Sequence, residues 1–154
     1  MAIEFGVWRI DGGFKRLEPS PMALEKRLEE VLAQDISVAA PNLMAIGRQV
    51  RTSFDKIVDL LAMDRAGNLA VLELKRDKTY RDIVAQVLDY GSWVRTLRDD
   101  DIARIFEEYQ RKQLGRDKTV SINEAFCAHF HLSAMPDELN ESHQLIIVAA
   151  TLDP

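Results

Sequence analysis

Apolar residues recur along this chain in different rhythms, and each rhythm predicts a kind of element. Phe5 to Ile10 is apolar and aromatic, Asp11-Gly12-Gly13 supplies a turn, and Phe14 to Leu17 returns, which predicts a short hairpin. Ser20-Pro21 then opens a helix, with Ser20 as N-cap and Pro21 where its missing N–H costs nothing. Leu24, Leu28, Val31 and Leu32 follow at three- and four-residue spacing, and the helix should stop before Pro41. Three strand-like runs come next: Leu43 to Val50, Ile57 to Met63 and Leu69 to Leu74.

After Lys75 the helical rhythm resumes. Thr79 and Asp82 have capping-box spacing, and Ile83, Val84, Val87, Leu88 and Val94 form an expected buried side. A further helix runs from about Asp99 to Gln113, its Asp99-Asp100-Asp101 start suiting the positive end of a helix dipole. Ser121 and Glu124 cap another helix carrying Phe126 and Phe130, and Gln144 to Thr151 reads as a buried strand. This order predicts an α/β layer structure around a mixed central sheet, because one hairpin is antiparallel and the last strand returns over helices.

The hairpin between the second and third strands carries the chemistry. A loop of Arg65, Ala66 and Gly67, with Gly67 left-handed, sets a register in which Asp64 faces Asn68, Ala62 faces Ala70 and Asp59 faces Glu73. Facing residues project to one side of a sheet, about 5 Å apart, so two carboxylates become neighbours. Lys75 shares that face with Glu73 by strand alternation. Two carboxylates and an ammonium at a sheet end suit a hard divalent cation such as Mg²⁺, with the lysine placed to orient water. An aspartate inside Ile57-Val58-Asp59-Leu60-Leu61 also needs a reason, since a buried unpaired carboxylate is costly.

Composition narrows the classes. The chain has 154 residues, 47% hydrophobic and 29% charged, enough for one globular domain with a core. The formal net charge of -5 excludes a general polyanion-binding coat, so any phosphate contact must be local. Lys75, Arg76, Lys78 and Arg81, with Asp77 among them, form such a local patch of net +3, to which Arg48 and Arg51 could add. The single cysteine, Cys127, excludes an internal disulfide and fits a reducing cytoplasm. Its neighbours His129 and His131 match no zinc spacing and read as structural residues. No apolar run reaches the roughly 18 residues of a membrane span, and no secretory signal opens the chain.

Asp59 followed by Glu73-x-Lys75 resembles the signature of the PD-(D/E)XK nucleases, the restriction-endonuclease-like superfamily. Gln86-Val87-Leu88-Asp89-Tyr90 is similar to the Gln-x-x-x-Tyr element of RecB-like nucleases, and a helix bearing Glu25 precedes the strands as in NucS-like nucleases. Val58 stands where the family's proline precedes the aspartate. The resemblance covers about residues 20–95 and implies a restriction-endonuclease-like core of αβββαβ order. It implies that Asp59, Glu73 and the Leu74 carbonyl hold Mg²⁺ or Mn²⁺ and that Lys75 activates water. Gln86 and Tyr90 would contact the nucleic-acid backbone or support the metal site. Glu25 would sit near the metal through water, with Glu29 one turn away competing for that role. Residues 1–19 become an N-terminal hairpin, 96–143 a helical insertion and 144–151 a further core strand of one nuclease-like domain. Relatives usually continue beyond that strand, so an ending at Pro154 suggests a shortened form.

The expected function is a metal-dependent deoxyribonuclease acting in repair or recombination on branched, mismatched or single-stranded DNA. Arg76, Lys78 and Arg81 would join Gln86 and Tyr90 at the DNA. The alternative is a non-catalytic DNA-binding or dimerisation module on the same fold, with Trp93, Tyr109, Phe126 and Phe130 as a contact face for a second copy. For Trp93 alone, a packed aromatic is favoured over a base-stacking platform.

Overall fold

The computed structural model describes residues 7–9, 15–17, 25–75 and 80–149, with side chains over 27–75 and 81–148. The helix start at Ser20-Pro21 and the Thr79 cap lie outside the described residues. Strands β1 (Val7–Arg9) and β2 (Lys15–Leu17) pair antiparallel with Trp8 opposite Arg16, the expected hairpin. Helix α1 (Glu25–Gln34) leads through a short 3₁₀ turn (Ile36–Val38) into β3 (Leu43–Arg51), β4 (Ile57–Asp64) and β5 (Leu69–Lys75). Helices α2 (Tyr80–Val94), α3 (Asp99–Lys112) and α4 (Ile122–Phe130) precede β6 (His143–Ala149).

The four long strands form one mixed sheet in the order β3-β4-β5-β6. β3, β4 and β5 are antiparallel neighbours, and β6 joins β5 in parallel after the helices. This is an α/β structure with the restriction-endonuclease-like αβββαβ order, into which α3 and α4 are inserted.

Position in the sheet explains burial. β5 lies between β4 and β6 and carries a core on each face, so all seven of its residues are buried. On one face Leu60, Ala62, Ala70, Leu72 and Leu74 pack with Leu32 of α1. On the other, Leu61, Met63, Leu69 and Val71 pack with Tyr90, Trp93 and Val94 of α2 and Ile102, Ile105 and Phe106 of α3. Each fully buried aliphatic side chain here contributes about 1.5–3 kcal/mol. Glu73 and Lys75 are drawn into this setting with the rest of β5, at 1% and 8% exposure, rather than lying on a solvated strand face.

Several helix expectations need adjusting. Ile83, Val87, Tyr90 and Val94 are the buried stripe of α2, whereas Leu88 lies one residue off that stripe and is 60% exposed. Ser121 caps α4 as expected, its Oγ accepting the Glu124 N–H at 3.1 Å. Asn140 has no sequence signal: its Nδ2 donates to the carbonyls of Val94 (2.7 Å) and Leu97 (3.1 Å), satisfying the end of α2. The Asn140 N–H donates to Gly67 O at 2.9 Å, tying the β4–β5 turn to that same helix end.

Candidate active site

The β4–β5 ladder follows the expected register, from Met63 opposite Leu69 to Leu60 opposite Leu72. It stops one residue short of Asp59 and Glu73. There the Asp59 side chain takes over from the backbone, its Oδ2 accepting the Leu74 N–H at 2.8 Å. Gln49 of β3 donates through Nε2 to the other oxygen, Oδ1, at 3.3 Å.

Glu73 is bound on one oxygen and bare on the other. Its Oε1 accepts from Lys75 Nζ at 2.7 Å and from Gln86 Nε2 at 2.7 Å. Its Oε2 is buried without a hydrogen-bond partner. Gln86 Nε2 also donates to the Tyr90 hydroxyl at 2.7 Å, and that hydroxyl donates to Ile57 O at 2.7 Å. Gln86 and Tyr90 stand one turn apart on α2, so a single helix face builds the support beneath Glu73.

Burial dominates the electrostatics. It pushes the Glu73 carboxyl up to about 7, with the Lys75 ammonium opposing and neighbouring Asp59 raising it further. Burial also raises Asp59 above the usual carboxylate range. The Leu74 N–H and Lys75 oppose that shift, while Glu29 across the site reinforces it. Asp59 and Glu73 are thus two neighbouring, largely buried carboxylates that raise the cost of charge at Glu73, and one buried oxygen of Glu73 has no hydrogen-bond partner.

Asp59, Glu73, Lys75 and Gln86 therefore meet, as the hairpin register and helix spacing predict. Tyr90 is corrected in one respect. It is 1% exposed, its hydroxyl spent on Gln86 and Ile57, so it supports the site from inside and offers no surface to nucleic acid. The side chain of Glu25 lies outside the described residues, as do Arg76 and Lys78. Arg81 is exposed in the first turn of α2. Glu29 is held by Arg48, whose Nε donates to its Oε1 at 2.7 Å, and acts electrostatically on Asp59. The proposed aromatic contact face is also corrected. Trp93, Tyr109 and Phe126 are at most 6% exposed and belong to the core. His129 stacks edge-on against Phe130, and His131 ends α4 in a left-handed conformation.

The donor set fits a hard divalent ion. Among the described residues no three His, Cys, Asp or Glu side chains converge. A cation at this place would rest on Asp59 and Glu73 and keep positions for water, a backbone carbonyl or phosphate oxygen, as Mg²⁺ commonly does.

Beside the site, β3 and α3 enclose a groove of about 610 Å³. Arg51, Arg104 and Lys112 line it against Asp101 and Glu108, while the Arg48 guanidinium is taken up by Glu29 of α1. Gln49 lines the same groove and touches Asp59, while Asp59, Glu73 and Lys75 themselves do not line it.

No protein-family model matches the chain. Among solved structures, that of an EndoMS–dsDNA2 complex is similar at 28% identity, with a TM-score of 0.43. The match covers 53% of this chain and spans 35% of the length of that protein. Among the described residues, no helix is long and apolar enough to cross a membrane.

Proposed function

We propose that this chain is a metal-dependent nuclease that hydrolyses DNA phosphodiester bonds. The observation that supports this best is the state of Glu73: buried beside Asp59, held on one oxygen by Lys75 and Gln86, and unbound on the other. A structural ion pair has no use for the second buried carboxylate, which only raises the electrostatic cost. A cation held by Asp59 and Glu73, with the Leu74 carbonyl, offsets that cost.

In this reading Mg²⁺ or Mn²⁺ supplies charge that neutralises the phosphate in the transition state and makes water a better nucleophile. The protein's own residues do the rest. Lys75, fixed by Glu73 at 2.7 Å, orients the attacking water and stabilises charge developing on the phosphoryl oxygens. Gln86 and Tyr90 hold Glu73 in place, so the carboxylate does not reorganise during attack. The β3–α3 groove, with Arg51, Arg104 and Lys112, offers a path for one phosphate backbone, and Arg81 adds charge at the start of α2. Branched, mismatched or single-stranded DNA of repair and recombination is the proposed substrate class.

Calorimetric titration of Mn²⁺ into the protein and into an Asp59→Ala/Glu73→Ala variant tests this reading. Binding that vanishes in the variant, followed by Mn²⁺-dependent cleavage of flapped, mismatched or single-stranded DNA, is the expected result. A protein that takes up no Mn²⁺ even with uncleavable DNA present is not a nuclease of this kind.

A further inference from the structure

Gln49 adopts φ +52 in the middle of β3, a left-handed conformation that non-glycine strand residues avoid. Its side chain is exposed, so no burial repays the strain. A β-bulge lies three residues upstream. Ala45 faces Ala62 and Gly47 faces Leu61, which leaves Ile46 as an extra residue in the ladder. Ile46 is fully buried in the core shared with α3. Gly47 follows on the same side, where an added Cβ would lie 3.0 Å from Ile105 Cγ2 and 2.6 Å from Val50 Cγ2.

Two consecutive residues thus face α3, which turns Arg48 toward α1, and the left-handed Gln49 then resets the alternation, since Val50 packs beside Gly47 on the α3 side again. Without Ile46 as an extra residue, Arg48 would point toward α3. With it, Arg48 reaches Glu29 of α1 at 2.7 Å and Gln49 reaches Asp59 at 3.3 Å. The bulge and the left-handed residue after it together aim Arg48 at Glu29 and Gln49 at Asp59.

We propose that Gln49 is a positioning residue, delivered by the Ile46 bulge together with its own left-handed backbone, which locks the Asp59 carboxylate for a divalent cation. This inference rests on the metal-site reading above. The Leu74 N–H holds Oδ2 and the Gln49 amide holds Oδ1, so the carboxylate cannot turn about its Cβ–Cγ bond. Partners of metal-ligating carboxylates set both ligand orientation and affinity.

The test uses Gln49→Gly and Gln49→Asn. Glycine removes the amide and accepts the positive φ freely, while asparagine tolerates that φ but is one methylene too short to reach Asp59. Melting temperature and calorimetric Mn²⁺ affinity are measured on both variants and the parent protein. An unchanged or raised melting temperature with about tenfold weaker Mn²⁺ binding is expected. Variants that bind Mn²⁺ as the parent does would overturn the role of Gln49 and leave the metal site standing. Loss of affinity together with a lowered melting temperature would also overturn it, since Gln49 would then be structural. A parent protein that takes up no Mn²⁺ overturns the metal-site reading, and this inference with it.

Discussion

The β4–β5 hairpin has two ends built on opposite terms. At its closed end the polar groups of the turn itself are answered, and the one buried atom there without a partner among the described residues is Oδ1 of the neighbouring Asn140. Asp64 Oδ1 accepts the N–H groups of Ala66 (2.8 Å) and Asn68 (3.0 Å), and Gly67 takes the left-handed turn position at φ +82. At its open end the ladder stops, two carboxylates lie together, and one buried oxygen has no partner. The same two strands thus run from a satisfied turn to a strained site within a few residues. Stability is invested at one end, and at the other it is given up to hold charge where charge is unwelcome.

The largest expected effect comes from removing the open end's cation. Lys75→Ala should lower DNA cleavage by about a thousandfold or more while leaving DNA affinity within a few fold. Single-turnover cleavage with parallel binding isotherms checks this, and a variant that keeps more than a tenth of the rate would remove Lys75 from the chemistry.

Glu73→Gln should separate stability from function. The unfolded chain releases the Glu73 proton near 4.5, whereas the folded chain holds it to about 7. Between those values the folded state carries the extra proton, so stability falls as pH rises through that window. The contribution is on the order of 3 kcal/mol. The variant should be more stable than the parent at pH 8 in chelator-treated buffer, and about equal to it at pH 4.5. Urea unfolding at the two pH values decides it, and parallel stability profiles for the two proteins would contradict the assignment.

The closed end should answer in the reverse sense. Gly67→Ala forces a side chain onto φ +82 and places its Cβ 2.8 Å from Leu139 Cδ2. A loss of about 1–2 kcal/mol is expected, with Mn²⁺ affinity unchanged. If metal binding moved with it, the two ends would be coupled and the contrast between them lost.

How much of this was legible in the sequence follows the range of the forces involved. The hairpin register could be counted from Gly67 and the apolar alternation, because turn geometry and strand period are local. Asp59 stood out as a charge inside an apolar run, and the Gln86–Tyr90 spacing pointed to one helix face. Depth was not legible: period assigns Tyr90 a face, but only the sheet and α2 together decide that it is 1% exposed. Nor was the role of Gln49, since simple alternation counted along β3 contains neither the bulge nor the left-handed residue. Its placement depends on Ile46 and Gly47 meeting Ile105 of α3, nearly sixty residues later. The Arg48–Glu29 pair was hidden for the same reason.

The parallel pairing of β6 has a consequence for the order in which this molecule assembles. β3, β4 and β5 are joined by short connections, so their meander closes small loops and forms early. β6 meets β5 across a separation of 74 residues, Leu69 opposite His143, and completes the ladder at Glu73 opposite Ile147 and Lys75 opposite Ala149. Such a contact is slow to form, because the entropy of closing the long intervening segment must be met before any pairing rewards it. Until β6 docks, β5 is an edge strand, and the backbone at Glu73 and Lys75 keeps one side open to water. The strand that carries both residues is therefore closed by the longest-range pairing of the sheet.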